Sequence, residues 1–286
     1  MTLNKSIINV TTASMKNLSG YDASKIFIDS GFFDIELSAG IYLKDQMNEI
    51  KRIKKGNFLI HNYFPPPKKP FVLNIASLND EIYRVSFDHI IKSIQYSVEL
   101  NSRIYSFHPG FVVDVDPKEI GVKTTSKVFY KRRECLDIAL TRINEISKYA
   151  KRYGIEILLE NNVMKKTSFD YLKKDTTILS NPKEIKFIME NTDSNVNLLL
   201  DVAHLKVSSK VLKFDLIKAL KLINPWVKAY HISDNDGYND NNQCFDNNSW
   251  FVKFLKKDAL FYTIEVYSKD LKIIKTQVDL LNSLIM

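Results

Sequence analysis

Leu198-Leu199-Leu200-Asp201-Val202-Ala203-His204 is the stretch that best indicates the architecture of this chain. Its apolar run predicts a buried strand, which ends in the Asp201 carboxylate, with His204 three residues further on. Burying a carboxylate is costly unless the charge is paired, and a metal ion is one common partner. If Asp201 binds a metal, the ends of other strands should provide further ligands.

Short apolar segments alternate with longer amphipathic segments on both sides of this stretch. Such short strands are typical of a parallel sheet that helices cover on both faces. Strands are predicted at 6–11, 33–37, 58–61, 104–108, 155–160, 196–201, 227–231 and 261–265. Helices are predicted at 23–30, 43–54, 80–100, 129–153, 214–222 and 271–284, and others are predicted to begin at Asn181 and Trp250.

The alternation continues without a linker, which indicates one domain over residues 1–286. We therefore predict an α/β protein with a single (β/α)8 TIM barrel. An open, doubly wound sheet is the alternative architecture. That architecture normally carries a glycine-rich phosphate loop, and the 8 glycines of this chain form no such motif.

The composition is that of an ordinary globular protein, with 45% apolar and 26% charged residues. No apolar run approaches the ~18 residues of a membrane span, and the N-terminus has no signal-peptide pattern. We therefore expect a cytoplasmic protein without a membrane partner. Cys135 and Cys244 provide neither a disulfide framework nor a cysteine zinc site. The sequence is also compatible with a homo-oligomer.

The net charge of +8 raises the question of nucleic-acid binding. The basic residues, however, fall mainly on the predicted outer faces of helices, as at Lys51-Arg52 and Lys131-Arg132-Arg133. A solvated lysine surface explains this distribution without any ligand. Nucleic acid therefore stays the alternative to a small-molecule partner.

A histidine or a carboxylate ends each predicted strand from the third onwards. These residues are His61, His108, Glu160, Asp201, His231 and Glu265. They are separated by 47, 52, 41, 30 and 34 residues, about one strand and one helix each time. We therefore expect them to form a ring at the carboxyl ends of the barrel strands, where barrel enzymes have their active sites.

Imidazole and carboxylate groups that converge on one point favour a divalent cation such as Mn²⁺, Zn²⁺ or Co²⁺. The absence of cysteine from the ring argues against a structural zinc site. Without a cation, the carboxylates would repel one another in a medium of low dielectric constant. The alternative is that each residue is an ordinary polar group at the end of a strand.

Four motifs of this chain together resemble the xylose-isomerase-like barrel superfamily. They are Leu159-Glu160-Asn161-Asn162, Leu200-Asp201-Val202-Ala203-His204, His231-Ile232-Ser233-Asp234-Asn235-Asp236-Gly237 and Thr263-Ile264-Glu265. The superfamily includes sugar and sugar-phosphate isomerases and epimerases, and apurinic endonucleases of the endonuclease IV type. The resemblance extends roughly from His61 to Tyr267.

The resemblance to the epimerases implies a single metal bound by Glu160, Asp201, His231 and Glu265. It also implies that Glu160 and Glu265 are the catalytic acid and base on opposite faces of the sugar. His204 matches a histidine that contacts the substrate, and we assign His61 and His108 to substrate binding as well. The resulting prediction is a divalent-metal-dependent isomerase or epimerase that acts on a sugar or sugar phosphate through an enediolate.

The resemblance to the endonucleases implies a second metal on His61, His108 and Glu160, and a third on His204 and an Asp-x-His pair. Asp240-Asn241-Asn242 has an amide where the second histidine of that pair would stand, which argues against a complete three-metal site. Metal-dependent phosphodiester hydrolysis at abasic DNA is therefore the alternative function.

The epimerase match also has a gap, because an arginine that many ketose epimerases carry is absent from 233–237. A third hypothesis is a barrel that binds a sugar-like ligand without turnover.

Three further features are interpreted by their position. Glu36 ends the second predicted strand and is expected either to face the substrate or to support other residues. The proline-rich loop 64–70 follows His61 directly and is expected to form a wall of the site. The connection 111–126 is long for a strand-to-helix link, which suggests a lid over the barrel mouth.

Overall fold

The computed structural model describes residues 7–119, 123–126 and 128–285. Its strands are β1 (Ile7–Thr11), β2 (Asp34–Leu37), β3 (Asn57–His61), β4 (Ile104–Phe107), β5 (Glu156–Glu160), β6 (Val196–Asp201), β7 (Val227–Ile232) and β8 (Phe261–Ile264). They close into one barrel in chain order, and each neighbouring pair is parallel, including β8 with β1. The predicted (β/α)8 barrel is therefore confirmed. Ser6, which the sequence places in the first strand, lies outside the described residues.

Helices pack around this barrel. They are α1 (Gly20–Asp29), α2 (Gln46–Lys51), α3 (Asp80–Glu99), α4 (Arg132–Arg152), α5 (Lys166–Leu172), α6 (Pro182–Asn191), α7 (Val202–Leu212), α8 (Leu216–Ile223) and α9 (Leu271–Ile285). The start of α6 agrees with the sequence, because Asn181 accepts a hydrogen bond from the Lys183 N–H at 2.9 Å and Pro182 takes the first helical position. Within the described ranges, no helix has the length and apolar character that a membrane crossing requires.

The sequence does not predict α7, which begins directly after Asp201. Residues of this helix are buried on most sides, among them Val202, Ala203, Leu205 and Val207. A helix that is covered on most sides lacks the one-sided apolar stripe by which a surface helix is recognised. In the sequence, the apolar residues of α7 therefore cannot be distinguished from those of β6.

The helix predicted to begin at Trp250 is wrong. Over the fully described connection between β7 and β8, the chain forms only a short 3₁₀ helix, Val252–Phe254. Phe251 anchors this segment in the core with 1% exposure. Lys256 donates its backbone N–H to the Tyr230 hydroxyl at 3.2 Å, outside any helix. Phe251 and the partly buried Trp250, Val252, Phe254 and Leu255 pack against the core here in place of a full amphipathic helix.

The alternation of side chains along the strands explains why the polar strand ends point into the barrel. Successive strand residues point to opposite faces, so residues two apart share a face. Leu158, Leu199, Ala229 and Phe261 form a buried cluster with Leu59 and Ile104. Two positions further along β3, β5, β6 and β7 come, in that order, His61, Glu160, Asp201 and His231. An apolar layer thus fills the barrel below a polar layer at its carboxyl end.

Candidate metal centre

The ends of β5 to β8 bring four predicted ligands together. Glu160 ends β5, Asp201 ends β6, His231 lies in β7 and Glu265 follows β8 directly. One potential ligand atom from each of the four lies within 4.8 Å of those of the other three, and all four residues are buried. The strands therefore place three carboxylates and one imidazole around a single point.

The donor set fits a divalent cation. Each of the four residues has a buried side-chain atom that makes no hydrogen bond: Glu160 Oε2, Asp201 Oδ2, His231 Nδ1 and Glu265 Oε2. Buried polar atoms are nearly always paired in folded proteins, because leaving one unpaired costs about 1–3 kcal/mol. A cation would satisfy all four atoms at once, and oxygen and imidazole nitrogen are suitable ligands for Mn²⁺, Zn²⁺ or Co²⁺.

The charges of the site support the same interpretation. Burial raises the pKa of Glu160, but the imidazoles around it, led by His108, hold this pKa well below its usual range. Burial raises the pKa of Asp201 well above its usual range, and His204 only partly opposes this effect. The pKa values of Glu160 and Asp201 are thus shifted in opposite directions. A bound cation would favour the ionised form of both.

His61, His108 and Glu160 form a second group whose ligand atoms lie within 4.8 Å of one another. His61 Nε2 and His108 Nε2 lie 3.0 and 3.2 Å from Glu160 Oε2. His61 Nδ1 lies 2.9 Å from the Ser106 hydroxyl oxygen, which orients the ring. Burial lowers the pKa of His108 to about 4, so its imidazole is neutral near pH 7. Glu160 belongs to both groups, and the two groups are therefore contiguous.

His204 lies in the first turn of α7, beside both groups. The Asp201 carboxylate caps this helix by accepting the His204 backbone N–H at 2.7 Å. His204 Nδ1 lies 3.2 Å from Glu160 Oε1, and its Nε2 lies 3.4 Å from Asp240 Oδ1. Burial lowers the pKa of His204, but Asp201 and Asp240 outweigh burial and raise it well above its usual range.

Asp240 thus faces His204, as in the endonuclease pattern, but Asn242 replaces the histidine that would complete the set. The Asn242 backbone oxygen accepts a hydrogen bond from the Tyr267 N–H at 3.0 Å. Within the part of the chain that the structure describes, no group of three potential metal ligands includes Asp240. The described residues therefore contain no ligand group that corresponds to the third metal of the endonuclease pattern.

A cavity of about 460 Å³ lies over these residues. His61, His108, His204 and Glu265 line it on the barrel side. The proline-rich loop contributes Pro66 and Pro70, as the sequence predicts, and the connection after β4 contributes Phe111, Pro117, Glu119 and Thr124. Residues 120–122 of that connection, and residue 127 just after it, lie outside the described residues. The volume is that of a small-molecule site.

Several residues of the site could not be predicted from the sequence. Asn161 makes two hydrogen bonds to the backbone of Asp201. Its Oδ1 accepts a hydrogen bond from the Asp201 N–H at 2.8 Å, and its Nδ2 donates one to the Asp201 carbonyl at 3.0 Å. Tyr63 and Tyr267 line the cavity. Tyr267 lies two residues after Glu265, and this spacing could have predicted that the two side chains point to the same face. The Asn161 contacts cross from β5 to β6 and have no signal in one sequence.

Comparison with known proteins identifies the family. A family model described as xylose isomerase-like TIM barrel matches residues 18–283. An uncharacterised protein of Methanocaldococcus jannaschii is 25% identical over 188 residues, which are 65% of this chain and 56% of the relative. This chain therefore spans little more than half the length of that relative.

Solved structures share the fold over nearly the whole chain. A D-tagatose 3-epimerase-like protein has a TM-score of 0.70 and 18% identity, with 98% of this chain and 100% of the other covered. A protein of Thermus thermophilus, soaked with ZnCl2, has a TM-score of 0.62 and 15% identity over 96% and 97% of the two chains. A family 2 AP endonuclease of Brucella melitensis has a TM-score of 0.63 and 12% identity over 93% and 94%. Identities this low establish the common fold alone. The match of the family model over residues 18–283 shows that this chain belongs to the xylose isomerase-like TIM barrel family.

Proposed function

We propose that this chain is a divalent-metal-dependent isomerase or epimerase for a small sugar or sugar phosphate. The observation that carries the proposal is that Glu160 and Glu265 belong to one buried ligand group, and that Glu265 of this group lines a 460 Å³ cavity. Two carboxylates at one point can remove and return a proton. An epimerase-like protein among the structural neighbours supports the same reaction class.

Glu160, Asp201, His231 and Glu265 would hold the cation, and their four unpaired buried atoms support this assignment. When bound, Mn²⁺, Zn²⁺ or Co²⁺ supplies Lewis-acid polarisation of adjacent carbonyl and hydroxyl oxygens. A structural neighbour solved after soaking with ZnCl2 supports a metal site in this fold.

The two glutamates would exchange the proton at carbon. Glu160 Oε1 and Glu265 Oε2 each lie 3.4 Å from His231 Nδ1, so they flank the same ligand atom from different strands. One carboxylate would remove the carbon-bound proton and leave an enediolate, and the other would return a proton on the opposite face to complete an epimerisation. His61, His108 and His204 line the cavity and would contact the substrate hydroxyl groups.

Solvent exchange tests this proposal. Incubation of candidate ketoses and their phosphates in D2O with the metal-loaded protein should introduce deuterium at the reacting carbon, which NMR detects. The Glu265→Gln variant should exchange at least about 100-fold more slowly, because the amide cannot accept the proton. Glu156→Gln is the matched control, since Glu156 begins β5 at the other end of the barrel and this variant should keep full exchange. Undiminished exchange in Glu265→Gln would contradict the mechanism, and binding without exchange would favour a barrel that only binds its ligand.

A second candidate function is metal-dependent phosphodiester hydrolysis at abasic DNA. The second ligand group favours it, because His61 and His108 share Glu160 with the first group and could hold a second cation. The net charge of +8 agrees with a nucleic-acid partner. Incision of an abasic duplex by the metal-loaded protein, weakening steeply as salt is raised, would establish this function. An intact duplex under conditions of active deuterium exchange would exclude it.

A further inference from the structure

We propose that Glu36 is a positioning residue that orients the His231 ring, with Nε2–H toward Glu36 and Nδ1 toward the cation. The inference rests on the metal centre of the proposed function and concerns a residue outside the four ligands. The sequence leaves open whether Glu36 faces the substrate or supports other residues. The contacts of its carboxylate decide between these two roles.

Glu36 lies in β2 with 1% of its surface exposed. Its Oε2 accepts two hydrogen bonds, from His231 Nε2 at 2.9 Å and from the Thr263 hydroxyl at 2.9 Å. One carboxylate oxygen that faces two donors at 2.9 Å acts as the acceptor in both contacts. A carboxylate oxygen in this role accepts hydrogen bonds and donates none. The hydrogen in the contact therefore belongs to His231 Nε2.

This contact crosses the barrel interior. Glu36 pairs in register with Thr11 of β1 and Leu59 of β3, whereas His231 of β7 pairs with Thr263 of β8. The carboxylate therefore reaches from β2 to two strands that are not its neighbours. It accepts hydrogen bonds from His231 and from Thr263, which pairs with His231 in the register. These contacts fix the His231 ring relative to the opposite wall of the barrel.

The other edge of the His231 ring faces the ligand group. Nδ1 lies 3.4 Å from Glu160 Oε1 and 3.4 Å from Glu265 Oε2, and it makes no hydrogen bond. With the hydrogen on Nε2, the Nδ1 lone pair is free for a cation. A carboxylate on the far nitrogen of a metal-binding imidazole sets its tautomer and orientation and increases its basicity.

Two other roles for Glu36 are less consistent with the geometry. A substrate contact would need an accessible carboxylate, and this one is buried against His231 and Thr263. Alternatively, Glu36, His61 and His231 could hold a cation of their own, since their ligand atoms also lie within 4.8 Å. A cation bound by Glu36 Oε2 and His231 Nε2 would have to replace the hydrogen bond between these two atoms.

The test compares E36Q with T263V. The E36Q variant keeps the size of the side chain but removes its charge, whereas T263V removes the other hydrogen bond to Glu36 and leaves the one from His231. Zn²⁺ dissociation constants from chelator competition should increase roughly 10- to 100-fold in E36Q and much less in T263V. Melting of the metal-free proteins verifies that both variants fold.

A spectroscopic readout separates positioning from a merely structural role. In ¹⁵N NMR spectra of the Zn²⁺-loaded wild type, His231 should bind through Nδ1 and carry a proton on Nε2, and E36Q should shift that Nε2–H resonance. Wild-type affinity in E36Q, an unshifted resonance, or binding of Zn²⁺ through Nε2 would each overturn the inference. The wild type could also bind Zn²⁺ without exchanging deuterium, while E36Q binds Zn²⁺ more weakly. That result would support the positioning role of Glu36 and contradict only the proposed reaction.

Discussion

Asp201 has two roles that a single substitution can separate. Its carboxylate is one of four converging ligands, and it also caps α7 through the His204 N–H. Asparagine is as good a helix cap as aspartate but a much poorer metal ligand. We therefore expect Asp201→Asn to weaken cation binding at least about 10-fold while the metal-free protein keeps its stability to within about 1 kcal/mol.

Calorimetric titration with Mn²⁺ or Zn²⁺ measures the affinity, and urea unfolding in EDTA measures the stability. Asp215→Asn is the matched control, because Asp215 caps α8 in the same way, accepting the Lys218 N–H at 2.8 Å away from the candidate centre. This control should bind the cation as the wild type does. Equal affinities in Asp201→Asn and Asp215→Asn would remove Asp201 from the ligand set.

The sequence predicts which residues of the site converge better than how they are held. Glu160, Asp201 and His231 are recognisable because each terminates or nearly terminates an apolar strand, and strands of a parallel barrel end at the same rim. Their supporting contacts join residues far apart in the chain, as in the pairing of Glu36 with His231 across 195 positions. No local pattern encodes such a pair, so it emerges only when the barrel is closed.

At the scale of elements, α3 carries a histidine outside the candidate centre. His89 packs between Tyr63 and Phe71, with ring centroids 5.4 and 5.5 Å away. Burial lowers the pKa of His89 from 6.5 to about 4, and Lys92 adds to this effect. Between these two values the unfolded chain binds a proton that the folded chain does not. The stability linked to neutral His89 is therefore present above about pH 6.5 and is lost as the pH falls toward 4.

Replacing His89 by phenylalanine should remove this dependence. As the pH falls from 6.5 to 4, the free energy of unfolding of His89→Phe should decrease less steeply than that of the wild type. The difference between the two slopes should correspond to the uptake of up to about one proton on unfolding. Urea unfolding in EDTA at several pH values measures the slope. Tyr96→Phe on the same helix changes no histidine or carboxylate and should keep the wild-type slope. Parallel slopes for wild type and His89→Phe would mean that His89 is accessible to protons in the folded state.

The elements that the sequence predicts poorly are those that depart from a one-sided helix. Long amphipathic segments such as α3 and α4 are predicted to within a few residues. The buried helix α7 has no clear apolar stripe, and the segment after Trp250 contains apolar residues without forming an α-helix. In both places burial by neighbouring elements decides the local conformation, and a local pattern carries no information about those neighbours.

For the whole molecule, the eightfold alternation predicts a parallel sheet with helices on the outside, and the lack of a glycine-rich phosphate loop favours a closed barrel over an open, doubly wound sheet. The candidate centre joins four of these strands, from β5 to β8. A cation that binds it should therefore stabilise the complete barrel, since the ligands converge only in the folded chain.

Calorimetry tests this coupling. A free Zn²⁺ concentration about 100 times the dissociation constant should add about 2.7 kcal/mol to the stability, and EDTA should reverse the rise in melting temperature. Asp201→Asn should show a smaller rise at the same Zn²⁺ concentration. A melting temperature that Zn²⁺ leaves unchanged would mean that the ring of ligands binds no cation in the folded state.

The membership of Glu160 in both ligand groups has a consequence for metal stoichiometry. The first group offers three carboxylates, whereas the second offers two imidazoles and shares its one carboxylate with the first. Two dications that shared one carboxylate would repel each other, so two binding events at these groups would show negative cooperativity. The first cation would fill the group with more charge, and a second would enter only when the free metal is abundant. The supply of metal in the cell, rather than a change in the chain, would then select between a mononuclear centre suited to proton transfer and a dinuclear centre suited to hydrolysis.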